Sequence, residues 1–171
     1  MIKNNYFKYV ITLAIICFVA PAILSVVHNI RPGIEAEKSL REVLPAAQSF
    51  EAVKKGSDIL YYKALGKNKS VLGYAFKAVK KGYSSDIVTM VGMDKNGVIT
   101  RIKILSQNET PGMGSRVSVE SWFQEQFTNK KTDELDSAVR VITGATITSH
   151  AVIESIKIKA KEVLKDVLQC G

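Results

Sequence analysis

The sequence predicts an α+β fold, an antiparallel sheet with packed helices, preceded by one N-terminal transmembrane helix. Three observations predict it. No Asp, Glu, Lys or Arg occurs from Tyr9 to Ile30. Short β-rich segments separated by turn signals fill the stretch from Asp58 to Leu105. After Ser149, Val152, Ile156, Ala160, Val163, Leu164 and Val167 recur at intervals of three and four, the period of an amphipathic helix.

The uncharged run holds 22 residues. At ~1.5 Å per residue such a helix spans about 33 Å, against a hydrocarbon core of roughly 30 Å. A cleaved signal peptide competes, because Ala20-Pro21-Ala22 resembles a cleavage site. The apolar run continues through Ile23, Leu24, Val26 and Val27, which favours an uncleaved anchor. Lys3 and Lys8 then keep the N-terminus in the cytoplasm. The expected location is the inner (cytoplasmic) membrane, single-pass, with the C-terminal domain on the extracytoplasmic or periplasmic side.

The expected organisation has three parts. Residues 1–30 are a cytoplasmic stub and anchor. Residues 31–57 are a helix and linker: Arg31-Pro32-Gly33 makes a break. Ala36, Leu40, Val43 and Leu44 form an amphipathic helix ended by Pro45, and 46–57 read as polar linker. Residues 58–171 are the extracytoplasmic domain. Its strands are expected at 58–65, 71–79, 87–93 and 98–105, the third largely apolar and therefore central. Asp94-Lys95-Asn96-Gly97 is a hairpin turn. Ser115 is a cap for a helix running to Thr128, with Val119, Trp122, Phe123 and Phe127 as its aromatic and apolar face, Trp122 in the core. A polar connection over 128–137 leads to a last strand, 138–142, and then to Thr143-Gly144-Ala145-Thr146-Ile147-Thr148-Ser149. Thr148 or Ser149 is the expected N-cap of the final helix. No βαβ alternation is present, which excludes a Rossmann domain.

Net charge is +8, and +6 beyond position 30. The lysines are scattered and not interleaved with aromatics, so no nucleic-acid partner is expected. Two cysteines and two distant histidines give no metal site. There is no catalytic triad order, CxxC, Walker loop or GxGxxG. The residues themselves leave two readings open. One is an anchored domain holding a phosphate-bearing cofactor at the start of the last helix, where unpaired N–H groups suit an anion and Gly144 and Ala145 allow close approach. The other is a non-redox anchored binding module.

Thr143-Gly144-Ala145-Thr146, followed by Ile147-Thr148-Ser149, resembles the [S/T]-G-A-T motif of FMN-binding domains, in which the final Thr is covalently flavinylated. Glu109-Thr110-Pro111-Gly112-Met113-Gly114 resembles the E-T-P-G-[L/M]-G loop of the same family. Gly73-Tyr74-Ala75-Phe76, Gly82-Tyr83 and Leu40-Arg41-Glu42-Val43-Leu44-Pro45 fall in the family's order. The pattern is similar to that of G subunits of Rnf ion-translocating complexes. The C subunits of sodium-pumping NADH:quinone reductases share the domain and are the alternative. The resemblance implies covalent FMN as a phosphoester of Thr146, with Thr143, Gly144 and Ala145 around the attachment point. It also places Glu109, Thr110 and Gly112 beside the flavin. A flavin transferase would mature the protein, other Rnf subunits and the lipid bilayer would be its partners, and it would be an electron carrier between reduced ferredoxin and NAD rather than a stand-alone catalyst. Four positions depart from the family: Arg140 where an acidic residue is usual, Gln107 where His is frequent, and Ser84-Ser85 where glycines are frequent.

Overall fold

A computed structural model describes the backbone of residues 3–56 and 58–170, with side chains described for 8–21, 36–56 and 58–169. It forms two compact units, Met1–Lys38 and Ser39–Gly171.

The first unit is most of helix α1 (Lys3–Val43). Its backbone stays helical through Arg31-Pro32-Gly33, where the sequence predicts a break. The break is predicted because a proline forfeits a donor and costs an interior helix about 3 kcal/mol. Tyr9, Leu13, Ile16 and Phe18 are all exposed, and they do not share one face. Thr12 donates its hydroxyl to the Lys8 carbonyl at 2.9 Å, so its polar atom is satisfied within the helix. The expected anchor, Tyr9 to Ile30, lies partly outside the residues whose side chains are described. Among the described residues no helix is long and apolar enough to cross a membrane.

The second unit is built on a five-stranded antiparallel meander in the order β1-β2-β3-β4-β5. The strands are β1 (Ser49–Lys55), β2 (Asp58–Leu65), β3 (Val71–Lys81), β4 (Asp86–Asp94) and β5 (Ile99–Ser106). β1 occupies the stretch expected to be linker, and the unit begins at Ser39 rather than at 58. It is an edge strand with only Phe50 and Val53 partly buried, so its composition reads as polar. The β4–β5 turn is the expected Asp94–Gly97 hairpin. Asp94 accepts from the Asn96 and Val98 amides at 2.8 Å each, and Gly97 sits at φ +81.

Each face of the sheet is covered by a different helix. Helix α5 (Thr146–Cys170) packs on one face through Val152, Ile153, Ile156, Ala160 and Val163, against Phe76, Ile87, Val91 and Met93. On the other face the last turn of α1 buries Leu40 and Val43, with Leu44 just beyond, on Ala64, Ala75 and Met90. Thr100 Oγ1 donates to the Val43 carbonyl at 2.8 Å, and Lys103 pairs with Glu42. The Thr100 bond satisfies a carbonyl that a helix end leaves open.

Two expected elements and one expected cap differ. The helix expected from Ser115 to Thr128 is two short helices, α2 (Arg116–Val119) and α3 (Ser121–Glu125), broken at Glu120 (φ −84, ψ 105). The break changes the helical phase. After the break, Phe123 and Phe127 enter the core edge-to-face at 5.5 Å, while Trp122, one residue before Phe123 and so on another side of α3, is 43% exposed and donates its indole N–H to Glu120. Ser115 makes no side-chain cap; its hydroxyl accepts from the Gly112 amide at 3.1 Å. Residues 138–142 are not a strand. A short helix α4 (Leu135–Ala138) leads into them, and the amides of Arg140 and Ile142 bond to the side chains of Gln126 and Ser149 instead of a ladder.

Thr89 on β4 is fully buried, and among the described residues its hydroxyl has no partner. Thr89→Val is expected to raise stability by about 1 kcal/mol, because it removes an unsatisfied buried hydroxyl without emptying the site. The urea midpoint of the full chain measures this.

Candidate functional site

Three segments distant in sequence meet beside the first turn of α5. They are the β3–β4 loop at Tyr83-Ser84-Ser85, the loop from Glu109 to Gly114, and Gly144 to Thr148. Glu109 joins them. It is only 6% exposed and accepts from the amides of Tyr83, Ser84 and Ser85 at 3.2, 2.9 and 2.8 Å. The buried Thr148 hydroxyl donates to Glu109 Oε2 at 2.8 Å. Burial would push this carboxyl up, but the hydrogen bonds from Ser85, Thr148, Ser84 and Tyr83 outweigh it and hold its pKa below the usual range. Glu109 is therefore a charged clamp with its acceptor sites filled by the protein, an arrangement poorly suited to a general base.

Gly114 is needed for this clamp. A Cβ there would lie 2.5 Å from Glu109 Oε2 and 2.9 Å from Thr148 Oγ1. Gly114→Ala is expected to cost about 1–3 kcal/mol by overpacking, read as a lower midpoint in chemical denaturation. Gly144 has a different reason: it sits at φ +82 with open space around it, a conformation that lets the chain turn sharply into α5.

The helix begins at Thr146, two or three residues before the expected cap. Thr148 and Ser149 lie inside the first turn and are buried. Thr148 serves Glu109, and Ser149 Oγ accepts from the Ile142 amide at 3.1 Å while donating to the Ala145 carbonyl at 2.9 Å. Thr146 itself is exposed, so its hydroxyl is the accessible one at the helix start.

A cleft of about 540 Å³ opens here, lined by Tyr83, Glu109, Thr110, Met113, Gly114, Gly144, Ala145, Thr146, Ile147 and Thr148. Tyr83, Met113 and Ile147 are more than half exposed and form apolar walls. Glu109 is the single charged lining residue among those described. Of the residues expected to bind cofactor, Thr146, Gly144, Ala145, Glu109 and Thr110 line this cleft; Thr143 and Gly112 are exposed nearby without lining it. Arg140 is exposed, with its backbone held at both N–H and C=O by Gln126. Sequence reasoning missed Ile147 as a cleft wall and Arg116, and it gave Met113 no role beyond its place in the loop motif. Arg116 donates to the Thr143 carbonyl at 3.0 Å and pairs with Glu120, which fixes the loop before Thr146.

The family profile described as FMN-binding domain matches residues 82–161. The chain is 32% identical to the G subunit of the proton-translocating ferredoxin:NAD(+) oxidoreductase complex of Clostridium ljungdahlii, over 94% of this chain and 93% of that one. It is 33% identical to the G subunit of the Na(+)-translocating ferredoxin:NAD(+) oxidoreductase complex of Acetobacterium woodii, over 88% and 87%. Among solved structures, Shewanella oneidensis NqrC has the same fold, with a TM-score of 0.55 at 15% identity over 75% of this chain and 74% of that one.

Proposed function

This chain belongs to the FMN-binding domain family, among the G subunits of ion-translocating ferredoxin:NAD(+) oxidoreductase complexes, and from that premise we propose that it is a flavoprotein subunit relaying electrons within such a complex. The observation that carries the reading is the exposed Thr146 hydroxyl, at the N-terminus of α5 and on the rim of the apolar-walled cleft.

The residues fit the group. The cleft volume is in the range of small-molecule sites. Tyr83, Met113 and Ile147 offer apolar surface to a planar ring, and Gly144 leaves the approach to Thr146 open. The attachment is covalent in this reading. The Thr146 O–H is replaced by an O–P bond to the FMN phosphate, the phosphoanhydride of a flavin dinucleotide donor breaks, the adenylate half leaves, and the proton passes to solvent. A flavin transferase is the partner for that step. Once bound, the isoalloxazine supplies one- and two-electron redox chemistry. The chain's own residues hold it: Glu109 keeps the three loops together, Arg116 steadies the Thr143 carbonyl, and the cleft walls exclude water from one side. None of these moves a proton in a catalytic step, which fits a carrier rather than a stand-alone enzyme.

Other subunits of the complex and the lipid bilayer complete the setting. The exposed apolar side chains on several faces of α1 support an anchor. The uncharged run continues beyond them through residues 22–30. With Lys3 and Lys8 on the cytoplasmic side, the flavin domain faces outward from the inner membrane. The test is ultraviolet fluorescence of the denatured protein band after co-expression with a flavin transferase. A fluorescent band is expected, and a dark band with a competent transferase sinks the reading.

A further inference from the structure

Thr146 and Ile147 line a second cleft as well, of about 500 Å³, at the start of the same helix. Its remaining lining residues are Lys80, Lys81, His150, Ala151 and Glu154. We propose that this second cleft seats the phosphate borne by Thr146, and that His150 is its principal hydrogen-bond donor. The inference rests on the reading of Thr146 as the acceptor.

The two clefts differ in charge. The first holds one charged residue among those described, the Glu109 carboxylate, and a phosphodiester anion beside it would be repelled. The second holds two lysines and a histidine against one carboxylate. Lys80 is committed to Glu154 by an ion pair, and Lys81 and His150 complete the lining. The flavin's two ends therefore have different preferences around the same threonine, with the ring toward Tyr83 and Met113 and the anion toward His150.

Helix geometry favours His150 within the set. It lies four residues after Thr146, hence on the same face one turn along. Side chains on a helix lean toward its N-terminus, so an imidazole at 150 covers the turn that carries Thr146. Glu154 continues that stripe and is paired with Lys80 of β3, which offsets the one carboxylate of the cleft.

The chain has two histidines, His28 and His150, so the test can be read residue by residue. Full-length protein with isotope-labelled histidine is prepared in detergent, with and without co-expressed transferase. His150→Gln assigns the signals. Flavinylation is expected to shift the His150 ring resonances, leave those of His28 in place, and give a proton–phosphorus correlation between the His150 ring and the phosphodiester. His150→Glu is expected to slow covalent loading about five-fold, the effect of an exposed like charge near 4 Å, and His150→Gln is expected to load within about two-fold of the unmodified sequence. A fluorescent protein whose His150 signals do not move, or a His150→Glu variant that loads at the original rate, overturns this inference and leaves Thr146 as acceptor. A dark band in the unmodified sequence removes the acceptor reading, and this one with it.

Discussion

Thr146→Ala is expected to abolish covalent flavin: its denatured band is dark, and its intact mass lacks the FMN phosphoester. The neighbouring hydroxyl makes the test sharp. Thr143→Ala is expected to keep most of the fluorescence, because Thr143 lies outside the cleft, and Thr146→Ser keeps it because the nucleophilic oxygen is retained. Thr146 is exposed and opens the helix, so its truncation costs little stability and loss of signal reads as loss of attachment. Fluorescence that survives in Thr146→Ala and disappears in Thr143→Ala would move the acceptor to the other threonine.

Glu109→Ala is expected to have the largest effect on stability of any site residue. It removes the acceptor for the amides of Tyr83, Ser84 and Ser85 and for the Thr148 hydroxyl. Leaving such donors without a partner costs about 3 kcal/mol, which lowers the melting temperature of a domain this size by about 10 °C. The cost also depends on pH. The folded pKa lies below the ordinary 4.5, so folding favours the charged form. The stabilisation is complete above the ordinary value and is lost as pH falls through the depressed one. The urea midpoint of the unmodified sequence should therefore fall between about pH 5 and pH 3 by more than that of Glu109→Gln, which has no charge to lose. Equal slopes for the two proteins would contradict the charged clamp.

The sheet was largely legible in the sequence, since β2 to β5 are apolar runs closed by turn residues such as Asp94 to Gly97. β1 was not, because an edge strand keeps most of its side chains in water and so looks like a linker. The residues of the site were legible as two motifs, but not what holds them together. Glu109 meets Ser85 and Thr148 across 24 and 39 residues, and no local pattern records such a meeting. The same limit explains Thr148. A hydroxyl just before an apolar helix has the look of a cap, and only the fold reveals that a buried carboxylate has already claimed it. Trp122 was grouped with Phe123 on one apolar face, but adjacent helical residues point about 100° apart, and the core takes Phe123.

The last turn of α1 has a consequence for the order of assembly. Its bonds to Thr100 and Lys103 span 57 and 61 residues, whereas the β4–β5 hairpin closes over a few. Local closures form early and distant ones wait for them. This helix precedes the sheet in sequence, yet its seat on Ala64, Ala75 and Met90 needs β2 to β4, and its bonds to Thr100 and Lys103 need β5 as well. The turn at Ser39 to Val43 is thus expected to settle late, once the strands it rests on have paired.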